Sequence, residues 1–219
     1  MKFKQLTVAS LATVAALVAT STAQAAITVY TNQAAYLAAV SSPGVDTFAG
    51  LSITGSTPSP LTRTAGSYGY TASVSTTSFY GAGTTANPWL STNTASDTIT
   101  FGSFTGGVSA FGGNFFGSNI SGLFQAGSVT LSATDASGTT TQTIVGATTS
   151  SFLGFVSDGA LLSASLKSVQ PTTGALWATA DNLTLATTLA VPEPQTYAML
   201  LAGLGVVGAV ARRRRSSKR

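Results

Sequence analysis

Ser128-Val129-Thr130-Leu131-Ser132-Ala133-Thr134 alternates strictly between hydroxyl and apolar side chains, and Asp135-Ala136-Ser137-Gly138 follows it. A period of two places Val129, Leu131 and Ala133 on one face of an extended strand and the hydroxyls on the other. The Asp/Ser/Gly cluster is turn chemistry, and it predicts a hairpin that returns the chain through 139–145. The same alternation recurs through Tyr68, Tyr70, Ala72 and Val74, through Ile99 and Phe101, through Leu162, Ala164 and Leu166, and through Leu183 and Leu185. Short alternating segments between Gly, Ser, Asp and Asn clusters predict an all-β fold, an antiparallel β-sandwich. One helix interrupts the pattern: Thr31-Asn32 caps Gln33 to Val40, and Ser42-Pro43-Gly44 ends it. The stretch from Ser52 to Gly66, with Pro58 and Pro60, is expected to be the mobile loop.

Composition bounds the chemistry. The 219 residues include no Cys and no His, and only 7% are charged. Thiolate chemistry, Ser-His-Asp triads, Cys/His zinc sites and haem ligation are therefore excluded. With 9% aromatic and 44% hydrophobic residues, the chain has the apolar content of a folded domain rather than a disordered one. The net charge of +4 misleads about partners. Between Ala26 and Ala190, Arg63 and Lys167 face Asp46, Asp97, Asp135, Asp158 and Asp181, a net of −3. No basic stripe exists there to neutralise phosphates, so no nucleic-acid partner is expected.

The remaining cations sit at the two ends. Lys2 and Lys4 precede an apolar run from Leu6 to Ala19, and Ala23-Gln24-Ala25 supplies a small-x-small cleavage site before Ala26. This is a signal peptide over residues 1–25, read by the secretion machinery, with the mature chain expected to begin at Ala26. At the other end, Pro192-Glu193-Pro194 precedes an apolar run from Tyr197 to Ala211 and the block Arg212, Arg213, Arg214 and Arg215. A helix over 197–211 reaches about 22 Å at 1.5 Å per residue, short of the roughly 30 Å hydrocarbon core. Arginine snorkelling and local thinning cover the difference, and the positive-inside rule keeps the arginines cytoplasmic as a stop. The two prolines hold the preceding strip extended and outside the bilayer.

These three elements in order resemble the PEP-CTERM sorting signal. The resemblance implies an exosortase partner, a membrane cysteine transpeptidase that recognises Pro192, Glu193 and Pro194 and processes the tail. It also implies a Gram-negative bacterium that makes exopolysaccharide, a transient inner-membrane anchor over 197–211, and a final place at the cell surface or in the extracellular matrix. The chain thus divides into a signal peptide (1–25), a β-sandwich ectodomain (26–190) and a sorting signal (191–219).

The ectodomain resembles, more loosely, the jelly-roll, lectin-like ectodomains common among such proteins. Val45 to Leu51, Val108 to Gly113, Phe152 to Asp158 and Asp181-Asn182-Leu183 carry this likeness, the last as the strand that closes such sandwiches. Lectin-like modules often hold a structural calcium on acids near their first and last strands, which would fall to Asp46 and Asp181 here. Ala49 stands where a Glu is common, and calcium needs six to eight oxygens. The competing reading makes Asp46 and Asp181 local turn or strand-edge acceptors, and no cofactor is expected. Asp135 and Asp158 read as turn residues.

Glycoside hydrolysis requires two carboxylates in different protonation states, and no Glu lies in the domain. Lys167 is its one lysine, so no base is evident for a nucleophilic Ser or Thr. The expectation is a non-enzymatic structural or adhesive component, with a carbohydrate-binding module as the alternative and a hydrolase behind both. Stacking candidates for a sugar are Trp89 in Asn87-Pro88-Trp89-Leu90, Phe79-Tyr80, Phe115-Phe116 with Asn114 and Asn119, and Trp177. Trp89, after Pro88, is expected in a loop and favoured for stacking. Trp177 is expected in the core.

Overall fold

The computed structural model describes residues 26–76 and 78–189, together with 201, 203–205 and 207. Strands dominate and the named strand pairs are all antiparallel. The elements run β1 (Ile27–Tyr30), α1 (Gln33–Ala39), β2 (Val40–Asp46), β3 (Ser56–Pro58), β4 (Leu61–Ala65), β5 (Tyr68–Val74), β6 (Ser78–Thr84) and β7 (Asn87–Thr92). They continue as β8 (Thr98–Gly102), β9 (Ala110–Ser118), β10 (Phe124–Gln125), β11 (Gly127–Asp135), β12 (Gly138–Ala147), β13 (Phe152–Ser157), β14 (Leu161–Val169) and β15 (Trp177–Thr188).

Two sheets result. The larger has the order β1-β13-β9-β15-β7-β6-β3, with β10 added to β9 and β2 added to β15. The smaller has the order β12-β11-β14-β8-β5-β4. One buried cluster draws on both. Tyr70, Ile99, Phe101, Val129, Leu131 and Leu166 of the smaller sheet join Phe79, Leu90, Phe111, Phe115, Phe155 and Leu185 of the larger. The Phe101 and Phe111 rings meet across the gap at 5.2 Å between centroids. The alternation that predicts the strands is what builds this core: Tyr68, Tyr70 and Ala72 of β5, Ile99 and Phe101 of β8, Val129, Leu131 and Ala133 of β11, and Ala164 and Leu166 of β14 are sealed, whereas Leu162, expected on the same face, is exposed where β14 shifts register against β11.

The hairpin at 135–138 forms with a two-residue loop, Asp135 pairing with Gly138. Its outer face is a ladder of hydroxyl pairs, Thr130–Thr143, Ser132–Thr141 and Thr134–Thr139, at 2.8–2.9 Å. Helix α1 also forms, with the Asn32 side chain accepting from the Ala35 amide at 3.0 Å. The Tyr36 side chain, fully buried, packs on the larger sheet against Phe152. Gly112 and its register partner Gly154 make room for that ring, since a Cβ on Gly154 would lie 2.4 Å from Tyr36 Cδ2. Burial raises the Tyr36 hydroxyl pKa well above its usual range.

Two expectations are corrected. Ser42-Pro43-Gly44 does not end the helix in a loop; the chain passes at Val40 directly into β2, where Gly44 and Val45 pair with Leu185 and Thr184. The stretch from Ser52 to Gly66 is not one loop, since β3 pairs with β6 and β4 pairs with β5 within it. Asp181-Asn182-Leu183 is on a strand. It lies inside β15, which is central and changes partners there: Thr179 and Ala180 pair with β7, whereas Leu183 to Thr188 pair with β2. Asn182 adopts φ 50° at a register shift against β9, a conformation Asn tolerates better than most residues.

The signal peptide with Ala23 and Ala25, the Pro192-Glu193-Pro194 motif and the Arg212–Arg215 stop lie outside the described residues. Of the expected 197–211 helix, Leu201, Gly203, Leu204, Gly205 and Val207 are helical. Among the described residues no helix is long and apolar enough to cross a membrane.

Candidate functional site

The acids are committed to structure. Asp46, at the end of β2, receives Arg63 Nε on Oδ2 at 2.6 Å and Arg63 Nη2 on Oδ1 at 2.7 Å. Tyr70 Oη donates to Oδ2 at 2.7 Å and the Phe48 amide to Oδ1 at 2.8 Å. Both oxygens are thus occupied by donors, and a cation would have to displace Arg63. Arg63 also reaches the Ala49 carbonyl at 3.2 Å and lies 5.5 Å from the centroid of the Phe48 ring. The Asp46 hydrogen bond raises the Arg63 pKa further, and burial raises the Tyr70 hydroxyl well above its usual range. The partner of Asp46 is thus a guanidinium. Among the described residues no group of three or more acids, His or Cys comes together.

Asp181 is buried at the β15 bulge, and its Oδ1 has no partner among the described residues. Burial raises its pKa, against the opposing pull of the Asn182 amide and the Asn87 side chain. Asp135 is more than a turn residue. It accepts from the Ser137 and Gly138 amides at 2.7 and 3.1 Å and from Ser157 Oγ of the other sheet at 2.6 Å. The Ser157 bond holds its carboxyl below the usual range, with burial working the other way. Asp97 accepts from Ser75 Oγ and Thr76 Oγ1. Asp158 is exposed.

Both tryptophans lie on strands and are partly buried. Trp89 lies within β7, not in a loop, and its ring meets Phe116 edge-on at 4.9 Å. Its Nε1 is buried without a partner among the described residues. Phe115 and Phe116 are fully buried, so neither is a stacking surface. Trp177 opens β15, half-buried, and lines a cavity of about 230 Å³ with Tyr80, Ser91, Thr92, Asn93, Asn119 and Ile120. Tyr80, Asn119 and Trp177, three sugar-binding candidates from distant parts of the sequence, are thereby brought to one place.

Strand pairing explains the convergence. Phe79 and Leu90 point into the core, so alternation sends Tyr80 and Ser91, which are register partners, to the opposite face. Ser91 also pairs with Thr179, and Trp177 with Ser118. Below the cavity, Ser91, Ser118 and Thr179 form a buried hydroxyl network at 2.9–3.1 Å that also donates to the Ala178 carbonyl. Thr92, opposite Phe79, belongs to the core side. The loop after β9 forms the far wall. Asn119 Oδ1 accepts from the Ser121 and Leu123 amides at 2.9 and 3.0 Å, and the Gly122 carbonyl accepts from the Gly83 amide at 2.9 Å. Gly122, at φ 72°, lies so close over Tyr80 and Ala82 that a Cβ would come within 3.0 Å of the tyrosine ring. Trp177 Nε1 points to the Asn93 carbonyl at 3.4 Å.

Asn93 and the Ser91 network were not marked by the sequence, because hydroxyls and amides are abundant throughout the chain. The one available signal is the place of Ser91 directly after Trp89-Leu90 on an alternating strand.

The fold and cavity define a two-sheet, all-β domain with a small uncharged pocket. At the C-terminus, the family model for the PEP-CTERM protein-sorting motif matches residues 190–215. The chain is a PEP-CTERM domain-containing protein, and the motif marks it for export and exosortase processing. No curated protein and no solved structure matches the chain.

Proposed function

We propose that this is a cell-surface or exopolysaccharide-matrix protein of a Gram-negative bacterium, with a non-enzymatic structural or adhesive role. Its two-sheet domain is read as a jelly-roll, lectin-like ectodomain, delivered by the signal peptide and held during transit by a membrane helix over 197–211. The sorting motif at 190–215 is the observation that supports this reading, since such a tail has a use only in a protein that crosses the membrane. The acids fit the non-enzymatic role: Asp46, Asp97 and Asp135 spend their oxygens on internal donors.

The test places a tag after Arg219 and follows it beside an antibody against the ectodomain, in a host that carries an exosortase. Wild type is expected to lose the tag and leave the ectodomain at the surface or in the matrix. Glu193→Ala is expected to be exported but to keep the tag in the membrane fraction. Retention of the tag by wild type, or equal processing of both proteins, overturns the reading. A second reading, a carbohydrate-binding module, is favoured by the cavity at Tyr80, Asn119 and Trp177.

A further inference from the structure

We propose that the cavity between Tyr80, Asn119 and Trp177 binds a single neutral sugar ring of a polysaccharide, and that Trp177, not Trp89, is its stacking platform. This deepens the adhesive reading and rests on it only for where the ligand is met; binding itself is measured apart from export.

The chemistry of the walls selects the ligand. A pyranose has an apolar face of C–H groups and a rim of hydroxyls. The first needs an aromatic or aliphatic surface in van der Waals contact, and the second needs fixed donors and acceptors. Trp177 and Tyr80 supply half-buried aromatic surface, and Ile120, 76% exposed, extends it at the rim. Tyr80 Oη makes no hydrogen bond among the described residues. The Asn119 carbonyl oxygen is held by two backbone amides, which fixes the side chain and leaves its NH₂ without a partner among the described residues. The wall thus presents a phenol and an amide donor beside an indole, the mixture of apolar body and polar tip that suits a ring with two kinds of surface.

Charge and size narrow the class. None of the lining residues carries a charge, so a uronate, sulfate or amino group would enter without a counter-ion and lose its hydration. The volume of about 230 Å³ is below the roughly 300–1,000 Å³ of pockets that enclose drug-sized ligands, which suits one ring with the chain continuing outward. Preorganisation is built in. The loop carrying Asn119 is pinned to β6 by the Gly83–Gly122 bond, and Trp177 is rooted in β15 above the Ser91, Ser118 and Thr179 network. Groups already held in place lose little freedom on binding.

The test uses the full chain in detergent, with dextran, galactomannan and arabinan as neutral probes and alginate and hyaluronan as acidic ones. Affinity electrophoresis reads retardation, and intrinsic fluorescence reads the two tryptophans. At least one neutral probe is expected to retard wild type and to shift its emission, with no retardation by the acidic probes. Trp177→Ala is expected to weaken binding by about tenfold or more, as loss of an aromatic anchor does. Trp177→Phe should keep part of the retardation but lose the emission change. Asn119→Asp keeps the acceptor that holds the loop and removes the free donor; it and Tyr80→Phe are each expected to weaken binding several-fold at unchanged melting temperature, and they stand in for Trp177→Ala if that variant fails to fold. The proposal is overturned if no neutral probe retards wild type, if only acidic probes do, or if wild type and the Asn119 and Tyr80 variants bind alike. Failed tail processing with intact binding would remove the sorting reading and leave this one; correct surface display without binding would do the reverse.

Discussion

Asp46 and Arg63 form a bidentate ion pair that ties the two sheets together: the carboxylate ends β2 of the larger sheet, and the guanidinium projects from β4 of the smaller. Asp46 is 4% exposed and Arg63 17%, so water screens the pair little. Tyr70 and the Phe48 amide complete the carboxylate's shell. Removing one member strands the other charge inside the protein. Arg63→Ala is expected to cost about 3–5 kcal/mol, the range for breaking a buried pair. Tyr70→Phe removes one charge-assisted hydrogen bond and should cost about 1.5–3 kcal/mol. Denaturant melts of the single and double variants would check both, and strictly additive losses would show that the residues do not act as one network.

Asp181 gives the opposite kind of effect. Its folded-state pKa is raised above the ordinary 3.8 by burial, so the folded protein holds its proton more tightly than the unfolded chain. Stability from this group therefore falls as pH rises from the ordinary value through the raised one, and the full cost is present at neutral pH. Asp181→Asn is expected to raise the melting temperature at pH 7 and to lose that advantage below about pH 3.8, where the carboxyl is neutral in both states. Asp135 runs the other way: its lowered pKa stabilises above the ordinary value, and that contribution is lost as pH falls through the folded-state value. Ser157→Ala should lower stability at pH 7 and flatten the acid limb. Melting curves between pH 2.5 and 7 decide each case.

How far the sequence carried the fold depended on whether a signal was local. Alternation through Val129, Leu131 and Ala133, the Asp135–Gly138 turn and the Asn32 cap are local, and each formed as read. Ser42-Pro43-Gly44 reads as a breaker because all three residues are turn-formers. Pairing of Gly44 with Leu185 of β15 overrides that preference, and tertiary pairing is invisible in a short window. The site divides the same way. Tyr80, Asn119 and Trp177 were each recognisable by residue type, but their meeting depends on the register of β6, β7, β9 and β15, which no local pattern specifies. The acids show the same limit: the partner of Asp46 is an arginine seventeen positions on, and nothing local to Asp46 points to it.

The approach of α1 to the larger sheet yields a further test. Gly154 and Gly112 leave a bare patch of backbone, and Tyr36 lies on it with its hydroxyl 3.4 Å from the Thr184 carbonyl. A methyl group on Gly154 would stand 2.4 Å from the ring, and the fully buried ring has little room to retreat. Gly154→Ala is expected to cost about 1–3 kcal/mol by overpacking. In a Tyr36→Ala background the same substitution should cost far less, because the ring it strikes is gone. An unchanged penalty in that background would mean that the strand itself resists the methyl group.

Trp89 and Trp177 differ in what their removal costs, although both are partly buried. Trp89 is packed edge-on against Phe116, and Gly83 allows the opposing strand to approach its ring to a distance no side chain would permit. Its indole is bound into the sheet by contact alone, since its N–H finds no acceptor among the described residues. Trp89→Ala should therefore behave as a core truncation, costing about 3–5 kcal/mol. For a chain of this length that lowers the melting temperature by roughly 6–20 °C. Trp89→Phe should be milder than its volume loss suggests, because it also removes the unpaired donor. Trp177→Ala loses a cavity wall and one long hydrogen bond to the Asn93 carbonyl, and should cost about 1 kcal/mol. Quenching by acrylamide separates the two indoles directly: the Trp177→Phe variant, with Trp89 as its sole tryptophan, should be quenched less than the Trp89→Phe variant. The reverse order, or a Trp177→Ala variant that melts earlier than Trp89→Ala, would put Trp177 in the core and Trp89 at the cavity.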